Sequence, residues 1–89
     1  MTRRRPAIRS AADEYARDIK ARFPGASTEV VLESFDGFDA WIRIELPPTL
    51  HERRSDVMDA TAELNERFDD VGIHLIATVG EVEEVGTHG

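Results

Sequence analysis

The sequence predicts an α+β domain, a two-layer sandwich in the order helix, strand, strand, helix, strand. Three observations carry this reading. Apolar residues recur every three or four positions over 8–23 and again over 50–69. Two stretches, 28–35 and 38–46, flank Asp36-Gly37. That dipeptide suits a two-residue hairpin turn, because both central positions take positive φ. A third strand-like stretch, 71–79, follows the second helical pattern. The 89 residues make a single domain.

In the first helix Ile8, Ala12, Tyr15, Ala16, Ile19 and Phe23 form one stripe, with Asp13, Glu14, Arg17, Asp18 and Lys20 mostly opposite. Ser10 with Asp13 resembles a capping pair, and Pro6 suits an earlier first turn. Pro24-Gly25 ends the helix, since proline disfavours helical geometry at Phe23 and glycine accepts a left-handed turn. Residues 1–7 read as a basic flexible arm, 8–80 as the domain and 81–89 as an acidic, frayed tail.

With Asp36-Gly37 as the turn, Phe35 lies opposite Phe38. One face of the hairpin then holds Val31, Phe35, Phe38, Ala40, Ile42 and Ile44. The other holds Val30, Leu32, Trp41 and Arg43. A slip of one residue reverses these assignments, so they depend on the turn type. Pro47-Pro48 stops the second strand, and Thr49-Leu50-His51-Glu52 matches a capping box. Leu50, Val57, Thr61, Leu64 and Phe68 follow at helical spacing, with Met58 and Ala60 beside them.

In the last strand Ile73, Leu75, Ala77 and Val79 alternate with His74, Ile76 and Thr78. A strand–helix–strand crossover is right-handed and sets the third strand parallel to a neighbour, either the first or the second strand. The expected whole is a three-stranded mixed sheet with two helices on one face, a ferredoxin-like fragment. The second face would carry Val30, Leu32, Trp41, Arg43, His74 and Ile76 beside Thr78. Apolar side chains left on a small domain point to a partner surface, here a second copy of the chain or another protein.

Charge narrows the function classes. The net charge is −7, yet residues 1–23 carry seven basic and three acidic side chains, while residues 24–89 carry four basic and fifteen acidic ones. An acidic body repels phosphate backbones, so no nucleic-acid partner is expected. The Arg3-Arg4-Arg5 cluster reads as a solvated terminus, with an adaptor arm for an anionic partner as the alternative. Cysteine is absent, which removes disulfides, thiolate metal sites and a cysteine nucleophile together. No apolar run approaches the ~18 residues of a membrane span, and the basic N-terminus has no apolar core behind it. Neither membrane insertion nor a secretory signal is expected, and the expected location is cytoplasmic.

The order of elements, the Phe23-Pro24-Gly25 break and the stretch Trp41-Ile42-Arg43-Ile44-Glu45-Leu46-Pro47, with a helix ending Glu66-Arg67-Phe68, carry a likeness. Over roughly residues 9–79 the chain resembles the cytoplasmic C-terminal domain of cation diffusion facilitator transporters. The resemblance implies a dimerising domain, and in many members a divalent metal held by His and acidic residues. Its ligand positions are mostly not matched. Arg43, Ile76 and Thr78 stand where the family has ligands, and Asp56 alone could serve.

His51, His74 and His88 are the only imidazoles, without His-x-His or His-x₃-His spacing. His74 and Asp56 are the only metal candidates singled out, and no metal site is assigned. Asp69-Asp70 and Glu81-Glu83-Glu84 lack the spacing of a calcium loop. Gly25, Gly37, Gly72 and Gly80 are isolated, so no phosphate-cradling loop is present. Ser10, Ser27, Ser34 and Ser55 lie outside any nucleophile elbow. The chain is therefore expected to have no catalytic residue and no cofactor. It reads as a homodimerising interaction or regulatory module, with a divalent-metal or small-ligand binding domain as the alternative.

Overall fold

A computed structural model describes residues 4–33 and 36–82. Helix α1 spans Arg4–Arg22, strand β1 Ser27–Val31, strand β2 Ala40–Leu46, helix α2 Arg54–Asp69 and strand β3 Leu75–Glu81. A 3₁₀ helix, Pro48–Arg53, leads into α2. The α+β class, the order α-β-β-α-β and the three-stranded mixed sheet agree with the sequence reading.

The sheet has the order β1-β2-β3, with β1 antiparallel and β3 parallel to β2. β2 is central because one of its faces, Ala40, Ile42, Ile44 and Leu46, is no more than 1% exposed. β1 carries Ser27, Thr28 and Glu29, polar residues suited to an edge. Both helices pack on the same side. Ala11, Ala12, Tyr15 and Ile19 of α1, with Phe23 just past its end, meet Val57, Ala60, Leu64 and Phe68 of α2 over that face and Leu75.

The helix boundaries depart from the expectations. α1 begins at Arg4, so residues 4–7 are helical where a flexible arm was expected, and Ser10 lies inside the helix rather than at its cap. Pro6 falls in the first turn, where its missing N–H has no intrahelical partner to lose. The expected capping box at Thr49 and Glu52 does not form. The helical segment starts at Pro48, its cap residue Pro47 makes no side-chain bond, and the Leu50 amide donates to Pro47 O at 2.8 Å. A proline tolerated at the first helical position moves the start ahead of Thr49.

β3 starts at Leu75, four residues later than expected. Residues 71–73 close α2 instead. Gly72 has φ +83°, its amide donates to Asp69 O, and the Ile73 amide donates to Phe68 O at 3.0 Å. This is a Schellman closure, which needs a left-handed residue at the glycine. At the other end the Val82 amide donates to Leu46 O at 2.9 Å, extending the pairing beyond Glu81.

The hairpin corrects the expected faces of β1. Asp36 and Gly37 both have positive φ, +54° and +89°, so the turn sits where the sequence placed it. Yet Val30 pairs with Ile42 and Val31 with Trp41. Four residues, 32–35, separate β1 from the turn, while three, 38–40, separate the turn from Trp41. The extra residue shifts the register by one and turns the whole strand over. Val30 therefore packs against the core, and Val31 shares the outer face with Trp41. Phe35, expected in the core, lies outside the described residues, as does the tail from residue 83.

One polar group is built into the helix layer. Tyr15 is fully buried, and its hydroxyl donates to Thr61 O at 3.2 Å. Oriented with its nitrogen toward the surrounding oxygens, the Asn65 amide donates to the Tyr15 hydroxyl at 2.8 Å and to Leu75 O at 3.2 Å. The phenol thus ties α1 to α2, and Asn65 ties α2 to β3. Burial pushes the Tyr15 pKa well above its ordinary 10.0.

Candidate functional site

The two pairings set residues of the outer sheet face in rows. Val31, Trp41 and Ile76 form an apolar row across all three strands. Glu29, Arg43 and Thr78 form the next, and Ser27, Glu45 and Gly80 the third. Alternation along β2 dictates this side, since Ile42, Ile44 and Leu46 point into the core. No described helix packs on it.

Polar contacts hold the side chains of this face in place. Trp41 Nε1 donates to Thr78 Oγ1 at 3.0 Å. Arg43 donates to Glu29 Oε1 at 3.1 Å and lies 3.8 Å from Glu45 Oε2. Its guanidinium sits 5.7 Å from the centroid of the Trp41 ring, within cation–π range. A shallow depression of about 340 Å³ is lined by Ser27, Thr28, Glu29, Arg43 and Glu45. Its charged groups are one arginine against two glutamates, a net charge of −1, with Arg43 paired to both Glu29 and Glu45.

Three of the six residues expected on this surface are there: Trp41, Arg43 and Ile76. Val30 is on the opposite face, for the register reason given above. Leu32 is 43% exposed but lies past the end of β1. His74 precedes β3, and its ring turns to the end of α2, where Nδ1 is 2.8 Å from Asp69 Oδ1. Its backbone is fixed by Asp39, whose amide donates to His74 O at 2.7 Å and whose carboxylate accepts the His74 amide at 2.9 Å. Glu29, Val31 and Glu45 were missed. Alternation alone places Glu45 beside Trp41 and Arg43, whereas Glu29 and Val31 need the register.

The two metal candidates do not converge. Asp56 lies in the first turn of α2, paired with Arg53 at 3.2 Å, while Asp69, the partner of His74, ends the same helix. At 1.5 Å per residue those carboxylates are about 20 Å apart along the axis. Among the described residues no three His, Asp or Glu side chains group as a metal would require. His51 makes other contacts: its Nε2 bonds Leu46 O at 3.2 Å, and Nδ1 is 3.9 Å from Glu81, which Arg54 holds at 3.3 Å. His88 lies outside the described residues.

Among the described residues no helix is long and apolar enough to cross a membrane. No protein-family model, curated protein or solved structure matches the chain.

Proposed function

We propose that the chain is a non-catalytic interaction module that pairs with a second copy of itself through the outer sheet face. The observation that carries this reading is the row Val31, Trp41 and Ile76, which crosses the whole sheet on the side the helices leave open. Fully withdrawing a large apolar side chain from water is worth roughly 1.5–3 kcal/mol, and these three are only partly buried in the single chain, so a partner covering the row adds the remaining part of that gain. Tryptophan flanked by arginine is also the composition of an interface centre. The likeness to the transporter cytoplasmic domain supports the same reading, since that domain dimerises.

Sedimentation velocity of the wild type and of Trp41→Glu tests it. At protein concentrations of about 50 μM, sufficient to populate even a weak micromolar dimer, the wild type should sediment as a dimer and the variant as a monomer. A monomeric wild type under those conditions would sink the reading.

A further inference from the structure

We infer that Arg54 guards the free edge of β3, and that without it a second copy adds its own β3 there, antiparallel, continuing the sheet. This edge is separate from the outer face, and the inference does not depend on that reading. With the order β1-β2-β3, β3 is an edge strand of seven residues. Such a strand offers unpaired amides and carbonyls as a template for another chain. Its sequence, Leu75-Ile76-Ala77-Thr78-Val79-Gly80-Glu81, holds no lysine or proline, and its one charge stands at the end. The strand itself therefore lacks the usual devices that keep an edge single.

The pairing with β2 identifies which backbone groups lie on that edge. The Val82 amide donates to Leu46 O, so Val82 and, by alternation, Gly80, Thr78 and Ile76 turn their amides and carbonyls toward β2. Those of Leu75, Ala77 and Val79 face away from the sheet. Side chains of α2 take two of these three carbonyls. Arg54 Nη2 donates to Val79 O at 3.3 Å. The Asn65 amide donates to Leu75 O at 3.2 Å. Arg54 is itself anchored, since its Nη1 donates to Glu81 Oε2 at 3.3 Å, and His51 Nδ1 lies 3.9 Å from the other oxygen of that carboxylate.

The two carbonyls are the ones a second copy needs. A two-fold axis normal to the sheet at Ala77 pairs two β3 strands antiparallel. Ala77 then exchanges both bonds with its own copy, and Leu75 pairs with Val79 of the second copy. In that register Val79 O accepts the Leu75 amide of the second copy, and Leu75 O accepts its Val79 amide. An incoming amide must displace a charged donor from Val79 O, and charge-assisted bonds are the stronger kind. Of the two guards, Arg54 can be removed with least damage. Asn65 also bonds the Tyr15 hydroxyl, whereas Arg54 is about half exposed and opens α2, where the helix dipole disfavours a cation.

The test is made in the Trp41→Glu background, so that the outer face takes no part. At about 50 μM that chain should sediment as a monomer, whereas adding Arg54→Ala or Arg54→Met should produce a dimer, a gain in affinity of at least about tenfold. Losing a cation from a chain of net charge −7 increases repulsion between copies, so charge alone predicts the opposite shift. Hydrogen exchange reads the geometry. The Ala77 and Val79 amides, which face away from the sheet in the single chain, should become protected on association, while those of Ile76 and Thr78 should change little. Variants with a native circular dichroism spectrum that stay monomeric would overturn the inference, as would association that leaves the Ala77 and Val79 amides exchanging freely. Loss of the native spectrum in both variants would assign Arg54 to the fold of the single chain and overturn it equally. A Trp41→Glu chain that is already dimeric sinks the outer-face reading instead. The guard is then still read from the change in protection at Ala77 and Val79 when Arg54 is replaced.

Discussion

The two faces of β2 are built from one seven-residue strand, yet they obey different rules. Ala40, Ile42, Ile44 and Leu46 are sealed under two helices, and nothing about them is negotiable. Trp41, Arg43 and Glu45, one position away in each case, are half-buried or exposed and are held by side-chain bonds across neighbouring strands. Alternation alone creates this contrast, since successive side chains point to opposite sides. Stability should therefore reside on one face and partner recognition on the other, and each expectation below tests that separation.

The largest effect belongs to the sealed face. Ile42 is fully buried at the centre of the sheet, beneath both helices. Ile42→Ala should cost about 2–5 kcal/mol, a large share of the roughly 5–15 kcal/mol that holds a domain together. Urea denaturation would show it as a lower midpoint at unchanged slope.

Next comes Tyr15, the polar anchor of the helix layer. Tyr15→Phe leaves Thr61 O and the Asn65 amide short of a partner and should cost about 1–3 kcal/mol. Its pH signature has a definite sign. The unfolded phenol ionises near pH 10, whereas the buried one keeps its proton to higher pH. Above pH 10 the folded state therefore holds more protons than the unfolded state. Stability contributed by the neutral phenol is fully present below pH 10 and is lost as pH rises toward the folded value, no faster than about 1.4 kcal/mol per unit. Denaturation curves at pH 9 and 11 should converge for wild type and Tyr15→Phe.

The adjacent valines of β1 test the register directly. Val30→Asp places a carboxylate against the core and should cost about 1–3 kcal/mol. Val31→Asp places it on the outer face, with a stability cost within about 0.5 kcal/mol but a marked loss of self-association. Equal melting temperatures for the two variants would mean that the strand has no fixed side.

These valines also mark how far the sequence could be read. The helical stripes, the turn at Asp36-Gly37 and the alternation of β2 were legible because each is a local pattern repeated several times. Val30 and Val31 were assigned to the wrong faces because a positive-φ dipeptide fixes the turn but not the number of residues on either side of it. Four before and three after exchange the two faces of β1. The same limit explains His74. Its alternation with Leu75 predicts an outward ring, but it stands one residue before the strand, where Asp69 of α2 is within reach. Strand order was open for a related reason, since the crossover rule demands a parallel neighbour without naming it. Trp41, Arg43 and Ile76 lie on the expected face because alternation within β2 and within β3, opposite the buried Ile42, Ile44 and Leu75, places them there without any register.

The smallest effect is the most diagnostic for the outer face. Thr78→Val keeps the shape of the side chain and removes the acceptor for Trp41 Nε1. If that face is open to water in the single copy, the indole nitrogen bonds water instead, and the loss should be about 0.5 kcal/mol or less. A donor sealed away from water would lose its full desolvation cost, about 1–3 kcal/mol. The thermal midpoint measured at dilution, where only the monomer is present, separates the two cases. A large shift there would mean that the outer face is already closed within one chain. Stability and recognition would then no longer divide along β2, and Trp41 would belong to the same class as Ile42.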